Sequence, residues 1–585
     1  MLPFGIDILH FTIRRKCPLC CFFESLKSQN TCFWAIGYDL GMKSERKARE
    51  TDIPETIQSL LVAFALALAF RGFVIEGFVI PTGSMAPTLM GQHVRFQSPV
   101  TGYEYPFDGS ENLLIKGRAS DGSLQWKYKS VPLLDPMISQ SRVIGEMPIR
   151  SMLSESVMGD RVLVLKFLYE FFDPERWDVV VFKNPVDPIG PSQNYIKRLV
   201  GVANEQILLA DGDVFTSEPD APVSEMRVQR KPRYIQNAVW QPVYNSDYIP
   251  GSPSIRESIM KLGWRGAPFD VKGFEVDDTR TWRSTSGGSI TWRNDRLPIR
   301  DFNTYNYLRY SVSRTGRGPT FNLRGTLPVN EIRFAAAIEN AEPDTFSTEL
   351  EFAAMKHSFL YAIDNGMASV TMLNSEGDVL AREEAPFQPT GNFEIDARNV
   401  DQRMSLEING TEIVALEYEW NPIQRLKHSF IGFDLRRYVQ DPLLMKKSEP
   451  GITWDISGTD VAIRRIRVDR DLYYRPGSLE PLQQAAANGP VIEGALFATD
   501  PRNPAVLKED QFLMLGDNSG FSRDSRYWGR PHPLVVRDTK DDSPFIAHRD
   551  LLVGKAWSVY FPAPGSLSPG GKKIIPDFGR LRFIR

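Results

Sequence analysis

A serine becomes a nucleophile only where a base can take its proton, and three stretches of this chain carry residue types for that chemistry. Ser84 sits in Pro81-Thr82-Gly83-Ser84-Met85-Ala86-Pro87, where prolines stiffen both flanks and a glycine lets the backbone turn. Such a turn can hold one hydroxyl in a fixed, exposed pose, although a Pro/Gly turn alone is ordinary. Lys166, Lys183 and Lys197 each follow or interrupt an apolar run. A lysine acts as a base only when neutral, so its usual pKa of ~10.4 has to fall by about two units or more, which burial in an apolar strand can achieve. The residues alone leave the three lysines undecided, and for each a solvated charge on an edge strand is the plainer explanation. The third stretch, Gly516-Asp517-Asn518-Ser519-Gly520-Phe521-Ser522-Arg523-Asp524-Ser525-Arg526, follows the apolar run Gln511–Leu515. Asx-capped turns look similar, but packing alone does not call for so dense a cluster of Asp, Asn, Ser and Arg at a strand end.

These groups need elements to hold them. At 585 residues the chain exceeds one core, which predicts two to four units. A hydrophobic content of 42%, 24% charged residues and a net charge of −3 describe an ordinary folded protein and offer nucleic acid no basic surface. The 4 cysteines, Cys17, Cys20, Cys21 and Cys32, all precede Phe33, so the folded part holds neither a disulfide scaffold nor a thiolate metal site, and no metal or cofactor is expected. Residues 1–41 read as an extension before a natural start at Met42, and 42–55 as a basic flank with Lys43, Arg46, Lys47 and Arg49. Thr56–Phe70 carries no charge. With Arg71 snorkelling and Gly72–Ile75 continuing the run, 56–75 approaches the ~20 residues of a bilayer span. The basic flank predicts a cytoplasmic N-terminus with everything after Arg71 outside. No small-x-small site precedes Pro81, so a retained anchor is expected rather than a cleaved leader.

Beyond it, Arg161–Phe167, Arg176–Phe182 and Tyr195–Gly201 have strand patterns, and 92–157 reads as irregular. That makes 76–210 the first part of a β-fold. Residues 211–264 are a connecting region, and 476–585 are a linker and a second part with strands at 511–515 and 551–561. Between them, runs such as Phe359–Ile363, Ala368–Leu373, Met404–Ile408 and Glu412–Glu417 alternate with turns at Asn365-Gly366, Glu376-Gly377 and Asn409-Gly410. Trp282, Trp292, Trp420 and Trp454 supply bulk, and no helical run is evident. A β-sandwich over 265–475 is expected, similar in pattern to a concanavalin-like jelly roll.

In order, the apolar anchor, PTGSMAPTL, GDRVLVLKF, YIKRLVG and GDNSGFSRDSRYWG resemble the bacterial type I signal peptidases, membrane-anchored Ser/Lys endopeptidases. The likeness covers 42–96, 158–210 and 505–562. The family's Leu-Pro-Gly after the lysine motif is replaced by Val202-Ala203-Asn204, where asparagine can still take a left-handed turn. The resemblance implies a mainly β catalytic fold with Ser84 as nucleophile, and the YIKR match makes Lys197 the general base. It further implies an oxyanion hole from the Ser84 N–H and the Thr82 hydroxyl, and a Ser522 hydrogen bond to the Lys197 ammonium. Asp524 and Arg526 would pair to hold their loop against the lysine strand, with Asp517 and Asn518 as turn architecture and Arg198 solvated on the opposite face. Ile80, Pro81 and Ile196 would line shallow pockets for an extended substrate cut after Ala-x-Ala. The implied partners are secretory preproteins and the bilayer of the inner membrane, with an envelope polymer or a protein as candidate ligand of the sandwich.

Rival chemistries fit less well. A Ser-His-Asp hydrolase would need His93 or His532, neither in a triad motif. A self-cleaving repressor peptidase would carry a DNA-binding domain in place of an anchor, and an SxxK enzyme needs lysine where Pro87 stands. From another class, a membrane-tethered binding protein with a dead peptidase would act through its sandwich alone. The insert, with its ends close together, is expected to fold alone and to be replaceable by a short Gly/Ser bridge.

Overall fold

The computed structural model describes residues 53–585 except 109–113, 119–123, 129, 140–142, 149–155, 251, 262–265, 277–279, 310–311, 316–317, 322–324, 343, 477–496 and 566–574. The expected extension 1–41, its cysteines, the Met42 start and most of the basic flank lie outside the described residues. Helix α1, Ile53–Phe73, runs unbroken for 21 residues. Its window Thr56–Phe73 has a mean hydropathy of 1.6 and is the one stretch among the described residues long and apolar enough to cross a membrane. Leu60, Leu61, Phe64 and Leu66 are exposed along it.

The rest is mainly antiparallel β-structure. The central sheet uses β1 (Ile75–Val79), β2 (Arg161–Leu165), β3 (Val179–Lys183), β4 (Asn194–Gly201), β5 (Gln511–Leu515), β6 (Ala547–His548), β7 (Leu552–Phe561) and β8 (Arg582–Phe583). Their order is β1-β2-β7-β3-β4-β5-β6, with β8 added to β7. Strand β3 is apolar from Val179 to Phe182 because both its faces are covered there. Val179 and Val181 join a core with Ile80, Met85, Leu89, Val162 and Val164. Val180 and Phe182 join another with Leu199, Met514 and Trp528. Each such buried side chain contributes roughly 1.5–3 kcal/mol. In register, Val180 faces Lys197 and Val179 faces Arg198, while β5 pairs with β4 only from Arg198 onward. Among the described residues, Asn194–Lys197 is thus left without a neighbouring strand on that side. Asn204 takes the expected left-handed conformation at φ 62°.

Three expectations change. Residues 92–157 are not irregular throughout: His93–Gln97, Glu104–Phe107 and Ser156–Val157 form a small sheet, and Leu114–Arg118 with Leu124–Tyr128 and Ser130–Leu134 with Val143–Pro148 pair as hairpins. Their strands are too short for a period to stand out. The connecting region 211–264 is structured as well. Asp213–Ser217 and Arg227–Val228 share a sheet with Glu205–Ala210 and Ala505–Leu507, and Gln241–Asn245 pairs with Val461–Arg470. The module expected over 265–475 thus shares a sheet with Gln241–Asn245. In the module, an eight-stranded and a seven-stranded sheet bury one common core that includes all four expected tryptophans. The hairpin turns at Asn365-Gly366 and Asn409-Gly410 have positive φ at both residues, the conformation these pairs favour. Helices Pro422–Ser429 and Leu435–Gln440 interrupt the strands. The first announces itself in sequence by a capping box, Asn421 with Gln424, and by proline at its first position.

Candidate active site

Just after β1, Thr82 is extended and Gly83–Met85 closes a single tight turn. Met85 is fully buried in the core below, which anchors the turn while Ser84 stays partly open. The far end of the segment is pinned by the Gly-Asp pair before β2: Asp160 accepts from Met90 N at 3.0 Å and from Ala563 N at 3.1 Å, and its carbonyl accepts from Ile80 N at 2.9 Å.

Lys197 Nζ lies 2.8 Å from Ser84 Oγ and donates to Ile196 O at 2.9 Å. The side chain is buried at 4% exposure. Burial lowers its pKa to about 8, while the Asp524 and Asp517 carboxylates pull the other way. Neither acid makes a direct contact, because each is committed elsewhere. Asp524 pairs with Arg526 at 2.8 Å, both fully buried, and accepts from Gly516 N at 3.0 Å. Asp517 takes Arg198 in a two-pronged pair at 2.9 and 2.7 Å and accepts from Thr88 Oγ1 at 2.5 Å. The competing lysines are occupied: Lys166 pairs with Glu76 at 3.2 Å and Lys183 reaches Ser192 O at 3.5 Å. His93 bonds the Gly91 carbonyl at 2.7 Å, its pKa driven down to about 4 by burial, and His532 caps the helix Pro533–Thr539.

Arg198 is not solvated. It is fully buried, because both faces of β4 are covered, and its pair with Asp517 ties the lysine strand to the 516–526 loop. Ser522 is buried too, but among the described residues its Oγ has no hydrogen-bond partner and makes no bond to Lys197. It packs against Gly516, where an added Cβ would come 2.1 Å from Ser522 Oγ and 2.5 Å from Ser84 O. Asn518 does more than turn: its N–H donates to Ser84 O at 3.1 Å and its Nδ2 to Gly83 O at 2.9 Å.

Around Ser84 opens a cavity of about 490 Å³ lined by Thr82, Pro81, Ile196 and Lys197 among others. Ile80 is absent from its lining and belongs to the core instead. Tyr305 and Asn306 of the inserted module also line it, and no local sequence signal marks them. Asp213, Glu331 and Asp401, also unforeseen, bring carboxylate oxygens within 4.8 Å of one another in a buried group that Lys231 and Arg425 counter.

Fold and site define a β-structured protein that presents a serine and a buried lysine to one another at the end of a cavity. Over part of its length the chain is similar to the type I signal peptidases. A family described as "Signal peptidase, peptidase S26" matches residues 137–250. The chain is 32% identical over 102 residues to signal peptidase I of Leptolyngbya laminosa, covering 17% of this chain and 47% of that one. It is 24% identical over 177 residues to signal peptidase I of Rickettsia typhi, covering 30% and 48%. The chain thus spans less than half the length of these curated relatives. Among solved structures, a carbohydrate-binding module from Bacillus subtilis aligns with 34% of this chain and 95% of its own at 8% identity and a TM-score of 0.19, a likeness that carries no functional weight.

Proposed function

We propose that this chain is a membrane-anchored serine endopeptidase that removes signal peptides from secretory preproteins. The observation that carries the proposal is the 2.8 Å approach of a buried Lys197 Nζ to Ser84 Oγ. With a pKa near 8, a useful fraction of Lys197 is neutral at physiological pH. The neutral amine accepts the Ser84 hydroxyl proton as Oγ adds to the scissile carbonyl. The Ser84 N–H and the Thr82 hydroxyl, which caps no turn, face the developing oxyanion. Lys197, now an ammonium, returns its proton to the leaving amine, and an acyl-Ser84 ester remains. Water, deprotonated by the same amine, then adds to the ester, and the ammonium returns that proton to Ser84 Oγ as the acyl–oxygen bond breaks and the signal peptide leaves as its carboxylic acid.

An extended substrate fits beside residues 80–82 and the unpaired edge at Asn194–Lys197. Pro81 and Ile196 leave shallow room there, which suits small residues and an Ala-x-Ala pattern. Asp524 with Arg526, and Arg198 with Asp517, hold the supporting loop, and Ser522 fills space beside Gly516. Helix α1 supplies the single span, N-terminus inside and cleavage outside, and the inserted module is a jelly-roll-like sandwich offered to an envelope polymer or precursor. The test is incubation of detergent-solubilised protein with a preprotein. Wild type should yield mature protein cut after a small residue, and Ser84→Ala none; equal cutting by both would sink the proposal.

A further inference from the structure

The catalytic sheet does not build the Ser84 turn alone. Residues 303–306, in and just before the short helical turn Thr304–Arg309 of the inserted module, reach it from outside the sheet. Asn306 and Asn518 exchange both amide bonds, Nδ2 to Oδ1 at 2.5 Å and 2.9 Å, and both are buried. Asn518 is the residue that holds the Gly83 and Ser84 carbonyls. Tyr305 lies so close under Gly83 that a Cβ there would sit 1.9 Å from its ring, so glycine is required by the insert's approach. Its hydroxyl donates to Gln92 O at 2.8 Å, and Asn303 Nδ2 donates to Ala86 O at 3.2 Å.

A carboxamide can turn end for end about its last torsion. If Asn518 did so, an oxygen would face Gly83 O and the turn would lose its grip. Reciprocal pairing with Asn306 blocks that rotation, because a flipped Asn518 would meet donor with donor and acceptor with acceptor inside a buried site, where unmade bonds are costly. We infer that residues 303–306 of the inserted module are positioning residues of the active site, holding the turn 83–86 so that Ser84 Oγ meets Lys197. The module is then neither a passive spacer nor an appendage that a Gly/Ser bridge could replace. The inference goes beyond the peptidase reading but rests on it for its kinetic consequences.

The experiment uses the full-length, detergent-solubilised protein and an Ala-x-Ala peptide. Asn306→Ala should lower kcat by about tenfold to a hundredfold, the scale of a misplaced reacting group, with KM within about twofold. The double variant Asn306→Ala/Asn518→Ala should be no worse than Asn518→Ala alone, since one acts through the other. Asn374→Ala, in an exposed hairpin of the same module, should leave cleavage unchanged. Hydrogen exchange provides an arm independent of activity: the amides of residues 83–86 should exchange faster in Asn306→Ala while the global melt is retained. Unchanged kcat, additive effects in the double variant, or unchanged exchange at 83–86 would each overturn the inference. A wild type that cleaves nothing would end the peptidase reading, with the exchange arm still deciding the clamp. If Asn306→Ala does not fold, Tyr305→Phe removes one hydroxyl and should still lower kcat several-fold; a kcat equal to wild type would overturn the inference.

Discussion

Two buried lysines in this molecule have opposite fates. Lys197 touches a hydroxyl and a carbonyl, and burial drops its pKa to about 8. Lys231 is equally enclosed, yet it is ion-paired to Asp401 and to Asp471, at 2.8 Å from the latter, and is held well above the usual lysine value. Burial penalises the ammonium in both places; what differs is whether a carboxylate is in contact. Near Lys197 the acids exist but are turned away, Asp517 to Arg198 and Asp524 to Arg526. The arginines thus leave the lysine without a contacting carboxylate, so burial dominates and its pKa stays low. At Lys231 the same ingredients join the inserted module to the sheet that contains Asp213, and the amine stays a fixed charge.

The contrast is broken most severely by removing each lysine in turn. Lys197→Ala and Ser84→Ala should each cost about a thousandfold or more in kcat/KM with the melt preserved, and the double variant should be little worse than either, because half a dyad is idle. Lys231→Met should do the reverse. It strands Asp401 and Asp471 without their cation and should destabilise by about 3–5 kcal/mol in denaturant titrations. Lys197→Met sharpens the contrast further: inactive, it should be more stable than wild type at pH 7 by on the order of 1–3 kcal/mol. The sign follows from a folded pKa below the unfolded one. The burial cost is complete below pH about 8 and fades as pH rises from there to the ordinary lysine value, so the gap between Lys197→Met and wild type should close over that range. The smallest effect is expected at Ser522. Its Oγ bonds nothing, so Ser522→Ala should change kcat/KM by less than about tenfold; a larger loss would mean that the hydroxyl turns to Lys197 when substrate binds.

What was legible in the chain was local. Ser84 announces itself through its prolines and glycine, the strand around Val162 through its alternation, and those around Val180 and Leu513 as short apolar runs. The hairpins at Asn365 and Asn409 follow from their turn chemistry. Lys197 stood level with Lys166 and Lys183 until the YIKR likeness separated it, and the structure gives the physical reason: the other two have Glu76 and a surface carbonyl. Arg198 was misjudged because strand alternation tells which face a residue takes but not whether both faces are covered. Asn306 was illegible because its partner lies 212 residues away and a single asparagine in a loop has no period or motif.

The central claim is that Lys197 is a base whose pKa burial lowers to about 8, and the pH dependence of kcat/KM tests it most directly. Cleavage of an Ala-x-Ala peptide between pH 6 and 10 should rise along a one-proton limb with its midpoint near 8, that of the lysine in the free protein. A profile flat from pH 6 to 10, or one that rises with a midpoint near the histidine value of ~6.5, would contradict a lysine base at Ser84.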